Sequence, residues 1–147
     1  MEPLVAYLHV LAFVLTGAFL TAEMVLCRPG LGPDHVRLLP RIDIVFFAAA
    51  LGALATGLLR LFFYGKGVDF YLPNPAFIAK MGLYLAIAVV SISPTLRFIR
   101  WRRALVAGGA LPSKDEVGAV RRLLHLELGL FALMPLMAVL MARGIGR

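Results

Sequence analysis

The chain has 147 residues, 61% of them hydrophobic, and a formal net charge of +7. That length holds a single domain, residues 1–147, and so apolar a composition excludes a soluble domain of this size, whose surface must still be clothed with polar groups. The cations interrupt hydrophobic runs, where topology and anionic headgroups account for them, so no nucleic-acid partner is expected and the lipid bilayer takes its place.

The first apolar run, Leu4–Leu26, follows Met1-Glu2-Pro3, which has no basic n-region, and continues without a cleavage-site stop. It reads as a retained helix, not a signal peptide. Arg28-Pro29-Gly30 ends it. The second span, Ile42–Tyr64, carries Ala48, Gly52 and Thr56 at four-residue spacing with Ala49, Ala53 and Gly57 one step on, a small-residue face that lets a neighbouring backbone approach. Phe62, Phe63, Tyr64, Phe70 and Tyr71 mark a membrane interface around the second loop. Asn74-Pro75 supplies a cap and a first-turn proline for the third span, Pro75–Leu96. The run Arg97-Phe98-Ile99-Arg100-Trp101-Arg102-Arg103 reads as an interfacial anchor, with Trp101 among headgroups and the arginines on phosphates. Ser113-Lys114-Asp115-Glu116 is a capping box. The fourth helix therefore starts at 113, enters lipid at about Leu123 and ends near Ala142. Each span has roughly the 20 residues that a ~30 Å hydrocarbon core demands. The expectation is an all-α, four-helix transmembrane bundle with up-down topology.

Loops one and three hold ten basic residues, Arg28, Arg37, Arg41, Arg97, Arg100, Arg102, Arg103, Lys114, Arg121 and Arg122, against Arg60, Lys66, Lys80, Arg143 and Arg147 elsewhere. The excess predicts that these two loops are cytoplasmic and that both termini are periplasmic, in a bacterial inner (cell) membrane.

Ionisable side chains inside the spans carry the functional information, because each costs about 2.5–3.5 kcal/mol near the bilayer centre by insertion scales. At ~1.5 Å per residue, His9, Arg60 and Lys80 fall at one level in the outer leaflet, ~6–7 Å below the ends of their helices. Glu23, Asp43 and Glu127 form a second layer near the cytoplasmic ends, where His125, Arg41, Arg121 and Arg122 are available as partners. His9, Phe13, Thr16, Leu20 and Glu23 share one stripe of the first span, and Lys80, Tyr84, Ile87 and Ser91 one stripe of the third, so both polar stripes belong inside the bundle. Arg60 is close enough to the interface to snorkel. Met134, Met137 and Met141 make a stripe on the fourth helix beside Pro135; it suits gap-filling before metal ligation. With Cys27 the only cysteine, no intramolecular disulfide and no cysteine zinc site can form.

Tyr7-Leu8-His9, Leu26-Cys27-Arg28-Pro29-Gly30, Arg41-Ile42-Asp43, Gly65-Lys66-Gly67, Asn74-Pro75 leading to Lys80, and Met141-Ala142-Arg143-Gly144 together resemble the DUF2214 family of bacterial membrane proteins over essentially the whole chain. That likeness implies the topology and carries no activity. A more distant likeness is to the HemJ-type protoporphyrinogen oxidases, four-helix proteins thought to bind haem b through a helix-one histidine and a helix-three lysine, at the places of His9 and Lys80. The helix-one tryptophan of those enzymes is absent here, and Leu126-Glu127-Leu128 stands where they carry Asn-Glu-Pro.

Two functional readings follow. In the first, haem b is the cofactor, with His9 as the axial metal ligand, Lys80 as second ligand or porphyrin partner, Arg60 or Lys66 near the propionates, and a redox role. In the second, the chain is a non-catalytic accessory or assembly subunit whose small-residue face binds a membrane-protein partner or a second copy in a homo-oligomer. Neither reading assigns catalytic residues.

Overall fold

The computed structural model describes residues 1–146; Arg147, counted above among the basic residues, lies outside them. Among the described residues the secondary structure is helical throughout. Helix α1 is Glu2–Leu26, α2 is Pro33–Leu59 continued by a π-helical turn Arg60–Tyr64, α3 is the single turn Val68–Tyr71, α4 is Pro75–Val106 and α5 is Lys114–Ala142. Four of them, α1, α2 with its π turn, α4 and α5, are long and apolar enough to cross a membrane.

The helix starts follow from local chemistry. Proline occupies the first turn of α1, α2 and α4, where its missing N–H costs nothing. The Asn74 side chain accepts from the Ala76 N–H at 2.9 Å to cap α4. At α5 the capping box closes both ways, Ser113 N–H donating to Glu116 Oε2 at 2.9 Å and Glu116 N–H donating to Ser113 Oγ at 3.2 Å.

Consecutive spans pair as two hairpins, α1 with α2 and α4 with α5, and the hairpins meet along α2–α4 and α1–α5. Both termini therefore share one end of the bundle, here the terminal end, and the connections after α1 and α4 share the other, here the loop end. Packing is uneven along this axis. Cys27, Leu31, Val36, Leu39, Phe98, Trp101, Val117, Val120 and Leu124 are all buried near the loop end, whereas Met134 is the only buried apolar residue of α5 beyond Leu124. The bundle is thus closed at the loop end and parts toward the terminal end. Its outer surface stays apolar, with Val10, Val14, Leu51, Ile78, Leu85 and Val89 exposed to the lipid side.

The expected bounds of two helices and the reading of Trp101 are corrected. Helix α2 starts at Pro33 rather than Ile42, and α4 runs to Val106 rather than Leu96, because both extensions are amphipathic: Val36, Leu39 and Pro40 turn inward on one, Phe98 and Trp101 on the other. Trp101 is accordingly no headgroup anchor. It is 6% exposed, with its ring edge-on to Phe98 at 5.8 Å, while Arg100, Arg102 and Arg103 around it are exposed. The small-residue face of α2 is covered by α1 of the same chain. A Cβ at Gly52 would touch Ala12, and one at Gly57 would touch His9.

Candidate functional site

Where the hairpins part, a cavity of about 390 Å³ opens, lined by residues of α1, α2 and its π turn, α3, α4 and α5. His9, Arg60 and Lys80 all line it, with Phe13, Leu54, Tyr84, Met134 and Met141 among the apolar and amphipathic walls. A second chamber of about 210 Å³ continues toward the loop end and shares Phe13, Ala53, Leu54, Tyr84 and Met134 with the first. Tyr84 stands between the two and donates its hydroxyl to Ala50 O at 2.8 Å, joining α4 to α2.

The position of His9 is set by the α2 backbone. Its Nδ1 lies 2.9 Å from Ala53 O and 3.0 Å from Thr56 Oγ1. A carbonyl only accepts, so Nδ1 carries the proton. Thr56 gives its own hydrogen to Gly52 O at 2.7 Å, which leaves its oxygen free to accept from the same N–H. The neutral imidazole is thereby held in one tautomer with Nε2 as the unprotonated nitrogen. Gly57 makes the approach possible, since a Cβ there would sit 3.1 Å from His9 Cε1.

Arg60 reaches the cavity from the π turn, an irregularity of the kind that recurs at functional positions. Gly65 is needed where that turn closes, because a Cβ there would strike Arg60 O. The Arg60 Nε is buried and has no hydrogen-bond partner. Lys80 lies near enough to Arg60, and both near enough to His9, for their charges to act on one another. Among the described residues no carboxylate lines the cavity. An imidazole nitrogen and two cations, with no counter-anion among the described residues, therefore face an apolar space.

Helix α5 contributes Met134 and Met141 to the lining, while Met137 is absent from it. Phe13 and Phe131 stack across α1 and α5, ring centroids 4.5 Å apart at 14°. Gly17 permits the stack, since a Cβ there would lie 2.6 Å from Phe131 Cε1. Sequence spacing gave no sign of this pair, which depends on which helix faces which.

The acidic layer also differs from its expected pairing. Glu23, Asp43 and Glu127 are 1%, 4% and 0% exposed, yet among the described residues the one ion pair is the exposed Asp34–Arg37 contact at 3.7 Å. Arg121 instead donates from Nη1 to Met24 O at 2.9 Å and Cys27 O at 3.0 Å, closing the carbonyl end of α1. His125 is exposed, with Nδ1 2.9 Å from Arg121 O. Burial pushes the neighbouring Cys27 thiol up to about 11, with the Arg121 charge opposing it.

Four membrane-crossing helices in two hairpins, enclosing a half-open polar-rimmed slot, define a multi-pass membrane protein. The family model described as "Predicted membrane protein (DUF2214)" matches residues 1–146, and the chain belongs to that family. No curated protein and no solved structure matches it.

Proposed function

We propose that this protein binds haem b in the slot at the terminal end of the bundle and serves a redox reaction in the membrane. The observation that carries the reading is His9: its Nδ1–H is engaged by a main-chain carbonyl, so Nε2 remains as a lone-pair donor in an apolar cavity. Metal-ligating histidines are oriented in this way, and the outer hydrogen bond raises the basicity of the ligating nitrogen. The remaining lining suits the rest of a porphyrin. Arg60 and Lys80 are cations that would meet carboxylates such as propionates, and Lys80, Met134 and Met141 are the further lining side chains that could hold the iron. The first cavity, at about 390 Å³, lies in the range of small-molecule sites, about 300–1,000 Å³. When bound, haem would supply one-electron chemistry, and the chain's part is to ligate, orient and exclude water.

The same reading sets the orientation by the basic-residue excess, with the loop end in the cytoplasm of a bacterial cell and the cavity toward the outer leaflet. The likeness of His9 and Lys80 to the HemJ-type pattern supports the ligand, while the missing signature residues leave the oxidised substrate unassigned. A membrane-protein partner is less well supported, because the α2 face offered for it is covered by α1.

The test is the visible spectrum of protein purified in detergent. Wild type, as isolated or after reconstitution with haem, shows a Soret band; His9→Ala loses it, and Lys80→Ala with Arg60→Ala weakens haem retention. Protein that stays colourless after reconstitution removes the cofactor reading and leaves that of an accessory subunit.

A further inference from the structure

We propose that Glu23, Asp43 and Glu127 form an intramembrane proton-binding site, in which protons bound by the carboxyls, not cationic side chains, compensate their charge. The inference requires no occupant in the cavity and stands apart from the haem reading.

Helical register puts the site at one level on all four spans. Asp43 is one turn on the loop side of Phe46 and Phe47, Glu127 one turn on the loop side of Phe131, and Thr95 one turn on the loop side of Ser91; those aromatic and serine residues line the inner chamber. Glu23 lies two turns below Thr16, which lines the same chamber. The acids therefore form the layer beneath the chamber floor. Beyond them Cys27, Phe98, Trp101 and Leu124 close the loop end.

Within this layer Glu23 and Asp43 lie side by side, Glu127 is within electrostatic reach of both, and Thr95 is beside Asp43. The remaining titratable or charged groups nearby are Cys27 at the end of α1 and Arg121 on α5, whose Nη1 is engaged by the α1 carbonyls. No cation pairs with any of the three carboxyls among the described residues. Both oxygens of Glu127 and Oε1 of Glu23 are buried without a hydrogen-bond partner. Orphaned oxygens on a wholly buried acid call for a ligand. A metal ion does not fit, because no three His, Cys, Asp or Glu among the described residues converge as chelators. Ionised carboxylates without a partner in so apolar a place would cost several kcal/mol each, whereas a proton removes that cost and turns the acceptor into a donor for the neighbouring oxygen.

Dicyclohexylcarbodiimide, an apolar reagent that attacks protonated and spares ionised carboxyls, tests this on the full chain in detergent. At neutral pH the label is expected on peptides carrying Glu23 or Glu127 and not on exposed Asp34 or Asp115. Labelling should fall about ten-fold per pH unit once the site titrates. Glu127→Gln, which keeps the side-chain shape, should lose its own label and retain that of Glu23. If the reagent gives no label, the infrared C=O stretch of a protonated carboxyl at neutral pH decides. A band lost in Glu127→Gln upholds the site, and absence of any such band in wild type overturns it.

Discussion

The imidazole of His9 donates to the main-chain carbonyl of Ala53 across the α1–α2 interface at 2.9 Å, and Gly57 of α2 leaves room for the ring beside it. Gly57→Ala would place a Cβ 3.1 Å from His9 Cε1. The ring must tilt away from the carbonyl, at the ~1–3 kcal/mol typical of overpacking. On the haem reading, Gly57→Ala should bind reconstituted haem at least ten-fold more weakly than wild type by Soret titration. Helix content, followed by circular dichroism, should be unchanged.

Gly17 poses the same constraint one layer deeper. Its Cβ would meet the Phe131 ring at 2.6 Å, so Gly17→Ala must break the stack of Phe13 on Phe131. A loss of about 1–3 kcal/mol is expected in detergent unfolding. Gly118→Ala, at a helical position with open space around it, should be neutral or slightly stabilising in the same assay.

Trp101 is buried against Phe98 and grouped with Cys27, Val117 and Leu124. As the only tryptophan, it reports directly on that packing. Its fluorescence should be blue-shifted and insensitive both to aqueous iodide and to quenchers attached to lipid headgroups. Accessible emission would place Trp101 at the interface that its basic neighbours suggest.

These residues show what could be read before any coordinates. The caps at Asn74 and Ser113 are decided within four residues, and the depths of His9, Arg60 and Lys80 follow from a fixed rise per residue; all of this is local information. The fate of Arg121 is not local. Both the acids of the inner layer and the open carbonyls of α1 could attract it, and only the rotation of α5 against α1 decides for the carbonyls. Trp101 misleads for the same reason, because a basic aromatic run looks alike at a headgroup layer and on an amphipathic helix whose inner face is covered.

Arg121 and Arg122 make the contrast measurable. The first holds the partly buried Met24 and Cys27 carbonyls and the second is exposed. Arg121→Ala should cost about 1.5–3 kcal/mol, the usual worth of hydrogen bonds to a charged group, and Arg122→Ala less than ~0.5 kcal/mol. Thermal unfolding of the two variants side by side checks the difference.

Cys27 gives the protein an alkaline limit whose sign is fixed. The thiol is fully buried, and burial lifts it from 9.0 to about 11 against the opposing Arg121 charge. Between those values the unfolded chain has released the proton that the folded chain retains. The unfolded state therefore binds fewer protons, and stability falls as pH rises through the window. Below it both states are protonated and the thiol contributes no pH dependence. Unfolding measured at the two ends of the window should show a larger loss for wild type than for Cys27→Ala. At neutral pH the folded thiol should resist iodoacetamide while the denatured chain alkylates readily, because the thiolate is the reacting species.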